Sequence, residues 1–210
     1  MKARTLFFAI IAVATSFAGL RAEDVLKVNF STYPAGSLGQ WWGGWSYPEA
    51  VGGEAVVPFK VEAAATGPEE TICATITADS RGAQEAGQWG FALTTPAIPA
   101  NLNALGAVLQ FRATIRGSAN APLTVRIISY NSSFSPTGAI NSPRLQLKAG
   151  EFVDLVVPLQ NFKQDPNVGE FDPGAPSFGF EFRSEDGPVA WGFVEKASME
   201  ISKFSLSPIK

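Results

Sequence analysis

The chain has 210 residues, 46% hydrophobic and 17% charged, with a formal net charge of −3, a single cysteine and no histidine. That length suits one domain with a core large enough to need no disulfide, and one cysteine permits no intrachain bridge. The acidic balance argues against the basic patch of a nucleic-acid or anionic-membrane binder. The missing histidine excludes Ser-His-Asp and Cys-His catalysis, histidine-ligated zinc and histidine proton shuttles.

The N-terminus reads as a secretory signal peptide. Lys2 and Arg4 form a positive region, Leu6 to Phe17 is almost wholly apolar, and small residues follow. Ala22 is the expected cleavage point, with Ala18 as the alternative. The apolar run is short for a membrane span. The expectation is a signal peptide over 1–22 and a single exported domain over 23–210, secreted to the periplasm or medium and free of membrane after processing. Removing Lys2, Arg4 and Arg21 leaves 13 positive against 19 acidic residues, near −6.

From Asp24 onward the pattern is short strands broken by Gly, Pro, Asn, Asp and Ser clusters. Asp24 to Phe30 reads as a strand, and Gln40 to Tyr47 as extended or looped. Ala55 to Val61 reads as a strand interrupted by Pro58, which points to an edge or a bulge. Thr71 to Thr77 is strand-like and carries Cys73, expected as a small buried side chain. In Gln88 to Thr95 the bulky Trp89, Phe91 and Leu93 share a face, and Ile98 to Leu105 reads as a short turn or a single helical turn. Gly106 to Arg116 alternates most clearly, with Leu109, Phe111, Ala113 and Ile115 on one side and Gln110, Arg112, Thr114 and Arg116 on the other. Pro122 to Tyr130 sets Leu123, Val125 and Ile127 against Thr124, Arg126, Ile128 and Tyr130. Asn131 to Pro143 reads as a loop, with a glycosylation sequon at Asn131. Arg144 to Leu147 and Phe152 to Val157 read as a pair about Ala149-Gly150, and Phe162 to Pro176 as a second polar loop. Ser177 to Arg183 alternates Phe178, Phe180 and Phe182 against Gly179, Glu181 and Arg183. Ala190 to Val194 and Ser198 to Ser207 close the domain as strands. About eleven or twelve short strands without a helical period predict an all-β antiparallel sandwich or barrel.

Three of the five tryptophans fall in Gln40-Trp41-Trp42-Gly43-Gly44-Trp45-Ser46-Tyr47. As a strand, this places Trp41, Trp45 and Tyr47 on one face and Trp42 on the other. The first three form a candidate ligand platform, since a pyranose C–H face can lie on an indole; Trp42 is the ring expected to be buried. Core packing of all the rings is the competing reading. Arg112, Arg126, Tyr130, Glu181 and Arg183 would form one patch of planar hydrogen-bonding groups if their strands are neighbours. A solvated face of cross-strand ion pairs is the plainer alternative.

In order, Val25-Leu26-Lys27-Val28-Asn29-Phe30, Gly87-Gln88-Trp89-Gly90-Phe91, the run from Leu145 through Ala149-Gly150-Glu151-Phe152 to Pro158-Leu159-Gln160-Asn161-Phe162, and the closing Met199 to Leu206 resemble the jelly-roll carbohydrate-binding modules of secreted bacterial proteins. The resemblance implies a galactose-binding-like jelly-roll β-sandwich that binds a polysaccharide or oligosaccharide without catalysis. Members of that family commonly hold a structural calcium, often with an acidic residue in the closing strand. Here Ser202-Lys203 stands at that place, where a lysine would repel the ion, and Glu54, Asp24 or Glu200 are the remaining oxygen donors. No cofactor is expected of this chain beyond such a calcium, and no catalytic residue. Glu181 with Glu185, or with Asp154, are carboxylate pairs by elimination for a glycan-active enzyme. The other alternative is a structural or assembly protein of the periplasm or cell surface, with the aromatic rings in core or interface.

Overall fold

The structure, a computed structural model, describes residues 24–30, 33–36, 38, 42–48, 56–103 and 108–209. Its strands, in chain order, begin with β1 (Leu26–Asn29), β2 (Gly43–Tyr47), β3 (Phe59–Ala65), β4 (Ile72–Ala78) and β5 (Gly90–Thr94). There follow β6 (Ile98–Pro99), β7 (Leu109–Gly117), β8 (Pro122–Tyr130), β9 (Pro136–Asn141) and β10 (Leu145–Gln146). Last come β11 (Val153–Pro158), β12 (Lys163–Gln164), β13 (Ser177–Ser184) and β14 (Ala197–Pro208). They form two antiparallel sheets. The first has the order β11-β7-β14-β4-β3, with β1 also on β14; the second has the order β12-β9-β8-β13-β5-β2, with β10 on β8 and β6 on β13. The predicted all-β antiparallel sandwich is what forms.

Alternation decides what lies between the sheets. Leu109, Phe111, Ala113 and Ile115 of β7, Leu123, Val125 and Ile127 of β8, and Phe178, Phe180 and Phe182 of β13 are all buried. The Phe204 ring sits 4.8 Å from that of Phe180 and 5.4 Å from that of Phe182. Each such ring contributes about 1.5–3 kcal/mol by leaving water.

Strand β14 needs one irregularity to do this. Its inward residues are Ala197, Met199 and Ile201, then Phe204 and Leu206. The register against β7 slips between Ile201 and Lys203. That bulge inserts one residue and shifts the period-two pattern by one place. Phe204 and Leu206 therefore enter the core, while Lys203 and Ser205 face outward.

Four expectations are corrected. The segment 131–143 is not all loop, because Pro136–Asn141 pairs with β8 as β9. Gly138 is needed there, since a Cβ would strike the Glu170 backbone. Arg144 to Leu147 and Phe152 to Val157 do not pair; β10 joins β8 in the second sheet and β11 joins β7 in the first, with only a Lys148–Glu151 bridge between them. Ala190 to Val194 is not a strand, because Gly187–Trp191 winds into a π-helical turn whose Trp191 ring meets Phe91 edge-on at 5.0 Å. Ile98 to Leu105 begins with the two-residue β6, and residues 104–107 lie outside the described set.

Candidate functional site

The outward face of the second sheet is built from residues whose neighbours along each strand are core. One row runs across it as Gly43, Thr94, Glu181, Arg126, Asn141 and Lys163. The next row holds Trp45, Ala92, Arg183 and Thr124. Tyr47 pairs with Gly90 at one corner, and Tyr130 closes β8 beside β13 at the opposite corner. Trp45, Tyr47, Arg126, Tyr130, Glu181 and Arg183, six of the eight expected binding residues, thus share one face.

The rings lie where side chains beneath them are absent. A Cβ on Gly90 would run into the Tyr47 ring, and one on Gly179 would come within 2.9 Å of the Tyr130 ring. Glycine weakens a strand interior, and at both places it gives an aromatic ring a floor to lie on. Trp45 is half-buried; its ring centre is 6.2 Å from that of Tyr47, tilted by 31°, and the Arg183 guanidinium sits 5.5 Å from it. Tyr47 is 40% exposed. Burial, and then the negative Glu181, push the Tyr130 phenol up, so its hydroxyl stays protonated and able to donate.

Between the rings lies a charged centre. Arg126 Nη1 is 3.3 Å from Glu181 Oε2, and Arg126 Nε is 3.1 Å from Asp165 Oδ2. The second contact is an ion pair without hydrogen-bond alignment, because Arg126 Nε has no hydrogen-bond acceptor. Asp165 is buried, and its carboxyl is held below the usual carboxylate range by the Asn167 backbone N–H at 2.9 Å, the Asn141 side chain and the Arg126 charge. Arg126 Nε, Arg183 Nε and Asn141 Oδ1 are buried with no hydrogen-bond partner. A buried group left this way costs about 1–3 kcal/mol; these atoms are covered, and what the face presents outward is the half-buried residues Arg126, Tyr130, Glu181 and Arg183.

The expectation that Arg112 joins this patch is wrong. Strand β7 belongs to the first sheet, so Arg112 lies on the opposite outer face of the sandwich. Residues 118–121 carry the chain from one sheet to the other, so β7 and β8, consecutive in sequence, are not paired. Trp41 lies outside the described residues. Trp42 turns inward as expected, half-buried against Phe30 at 5.1 Å and Tyr33 at 6.3 Å, both edge-on.

The other expected chemistry disperses. Asp154 and Glu181 sit in different sheets, and Asp154 accepts from Thr114 Oγ1 at 2.5 Å. Of the calcium donors, Glu54 is outside the described residues, Glu200 is ion-paired with Arg116 at 2.5 Å, and Asp24 shares its surroundings with Lys27 and Lys203. Among the described residues no three His, Cys, Asp or Glu side chains are placed to hold a metal. Cys73 is buried, and burial pushes its thiol up to about 11. Exposed Asn131 accepts from the Ser133 and Ser135 backbone N–H groups.

Sequence reasoning missed Asp165 and Asn141. Asp165-Pro166-Asn167 has the composition of an Asx turn, which could have flagged a carboxylate fixed by local backbone. Asn141 was hidden in a segment read as loop.

No protein-family model matches the chain, and no curated protein sequence matches it. Solved structures do. The chain is similar to the family 11 carbohydrate-binding module of a cellulosomal cellulase of Clostridium thermocellum, with TM-score 0.54 and 11% identity, covering 89% of this chain and 97% of that one. It is also similar to the family 30 carbohydrate-binding module of another cellulosomal cellulase of Clostridium thermocellum, with TM-score 0.53 and 9% identity, covering 87% of this chain and 98% of that one. Two sheets, their order and this likeness together give the chain the jelly-roll β-sandwich fold of carbohydrate-binding modules.

Proposed function

We propose that the chain is a secreted, non-catalytic carbohydrate-binding protein whose ligand lies across the outer face of the second sheet. The observation that carries this reading is the pairing of Trp45 and Tyr47 at one corner with Tyr130 at the other, around a strip of half-buried planar groups, Arg126, Glu181 and Arg183. Three strand spacings of ~4.8 Å and eight residues at ~3.3 Å along the strands separate Tyr47 from Tyr130 by roughly 30 Å. That span takes an oligosaccharide of several residues. Sugar C–H faces stack on the rings, each adding about 0.5–1.5 kcal/mol beyond burial. Hydroxyls donate to Glu181 and accept from the terminal guanidinium nitrogens of Arg126 and Arg183 and from Tyr130. After the costs of ordering, micromolar to millimolar affinity is expected. The fold likeness to carbohydrate-binding modules supports the same reading.

The geometry favours binding over hydrolysis. A glycosidase needs one carboxyl held protonated as general acid. Asp165 and Glu181 flank a single guanidinium, and Asp165 is both covered and held toward its ionised form. Export rests on the leader-like residues 1–22, which lie outside the described set; among the described residues no helix is long and apolar enough to cross a membrane.

Affinity electrophoresis of the folded protein through a panel of neutral polysaccharides tests the reading. Retardation by at least one is expected. Unretarded migration through all of them, with a concentration-dependent dimer, would transfer the face to the assembly reading.

A further inference from the structure

On the opposite side of the sandwich, Lys27 of β1, Ser205 of β14, Arg112 of β7 and Val156 of β11 form one row across the first sheet. Lys203, Thr114 and Asp154 form the next. Lys27, Arg112 and Lys203 are all exposed, and they converge on a depression of about 290 Å³ that Asp24, Thr114, Asp154, Val156 and Ser205 also line. The β14 bulge makes this arrangement, because without it Lys203 and Ser205 would point into the core.

Three features single this place out. Arg81, Arg116, Arg126, Arg144, Lys60 and Lys148 have carboxylate partners; Lys27, Arg112 and Lys203, like the scattered Lys163, Arg183 and Lys196, form no ion pair among the described residues. Three unpaired cations meet at one depression in a chain of net charge −3. The Lys27 and Arg112 Cα atoms stand two strand spacings apart, ~9.6 Å, with Ser205 between them and Lys203 one outward step along β14. One oxyanion at that centre can meet both amines, the guanidinium and the Ser205 hydroxyl.

We infer that this depression is a second binding site, for the carboxylate of a single acidic sugar residue. Arg112 offers a planar fork to the carboxylate, and the two lysines add charge and donors. Asp24 and Asp154 distinguish a sugar acid from a bare anion. They repel a multiply charged ion but accept from hydroxyls, so a singly charged, hydroxyl-rich ligand satisfies both sets. The volume lies at the small end of ligand pockets, which suits one residue of a chain. The sugar part of this assignment rests on the carbohydrate-binding reading of the protein; the anion part does not.

Calorimetry with the exported chain tests it, using an oligogalacturonide, its neutral galactose counterpart and inorganic sulfate as probes. The oligogalacturonide is expected to bind and to lose about tenfold or more in affinity in Arg112→Gln and in Lys203→Gln, the scale of one charged hydrogen bond. Lys196→Gln, an exposed cation elsewhere, is expected to bind it like wild type. Equal loss in Lys196→Gln would mean diffuse charge attraction, and loss in Trp45→Ala with none in Arg112→Gln would put the uronide on the other sheet; either overturns the site. Sulfate binding as tightly as the oligogalacturonide would overturn the sugar assignment. Failure of neutral polysaccharides to bind, with the oligogalacturonide still lost in Arg112→Gln, would count against the second-sheet platform and leave this site standing.

Discussion

The Arg183 guanidinium lies 5.5 Å from the centre of the Trp45 ring, across the small Ala92 of the strand between them. The contact fixes the ring at the corner of the face and is worth about 0.5–1 kcal/mol at an exposed position. Arg183→Ala is expected to weaken neutral-glycan binding several-fold and to change stability by less than about 1 kcal/mol. Titration calorimetry and urea midpoints check the two parts. Arg183→Lys should recover little, because an ammonium lacks the planar fork.

The glycine floors give a second prediction. In a strand, Gly→Ala ordinarily gains about 0.5–1 kcal/mol through the unfolded chain. Gly179→Ala should miss that gain, because the new methyl would sit 2.9 Å from the Tyr130 ring and lift it. The expected outcome is an unchanged melting temperature with reduced glycan affinity. A stabilised protein with wild-type affinity would mean the ring position does not matter.

Asp165 predicts a pH dependence. Its folded carboxyl titrates below the unfolded value because Asn167, Asn141 and Arg126 stabilise the anion. A depressed carboxyl contributes stability that is complete above the unfolded value near 3.9 and is lost as pH falls through the folded one. Asp165→Asn should therefore cost about 1.5–3 kcal/mol at pH 7, the range for hydrogen bonds to a charged group. The gap from wild type should close as both are acidified below pH ~4. Urea unfolding across pH measures this.

Phe134 sits at φ 57 in the turn between β8 and β9, with 68% of its surface exposed. A left-handed backbone is costly for any residue with a Cβ, and no burial of the ring offsets it. Phe134→Gly should raise stability by about 1 kcal/mol, read as a higher melting temperature.

What the sequence makes legible is which way side chains point. Alternation along β7, β8 and β13 separates core from surface at almost every position, and it divides Trp42 from Trp45 and Tyr47. Alternation carries no information about which sheet a strand joins. That is why Arg112 was grouped with Arg126, although residues 118–121 pass between sheets. The same blindness made a hairpin of β10 and β11. Strand β9 was hidden because Pro136 and Gly138 are poor strand formers, and only close packing against the Glu170 backbone explains the glycine. The turn at Gly187–Trp191 read as a strand because Val189, Ala190 and Trp191 are consecutive and apolar; Val189 is in fact 91% exposed. The Arg126, Asp165 and Asn141 contacts join three separate segments and follow only from the folded register.

The central claim is that neutral glycan binds the second sheet and not the first. Calorimetric titration of one retarded polysaccharide into wild type, Trp45→Ala and Arg112→Ala tests it most directly. The account predicts about tenfold or greater loss of affinity in Trp45→Ala, from lost stacking and burial together, and a wild-type isotherm for Arg112→Ala. Wild-type affinity in folded Trp45→Ala, or loss confined to Arg112→Ala, would contradict it.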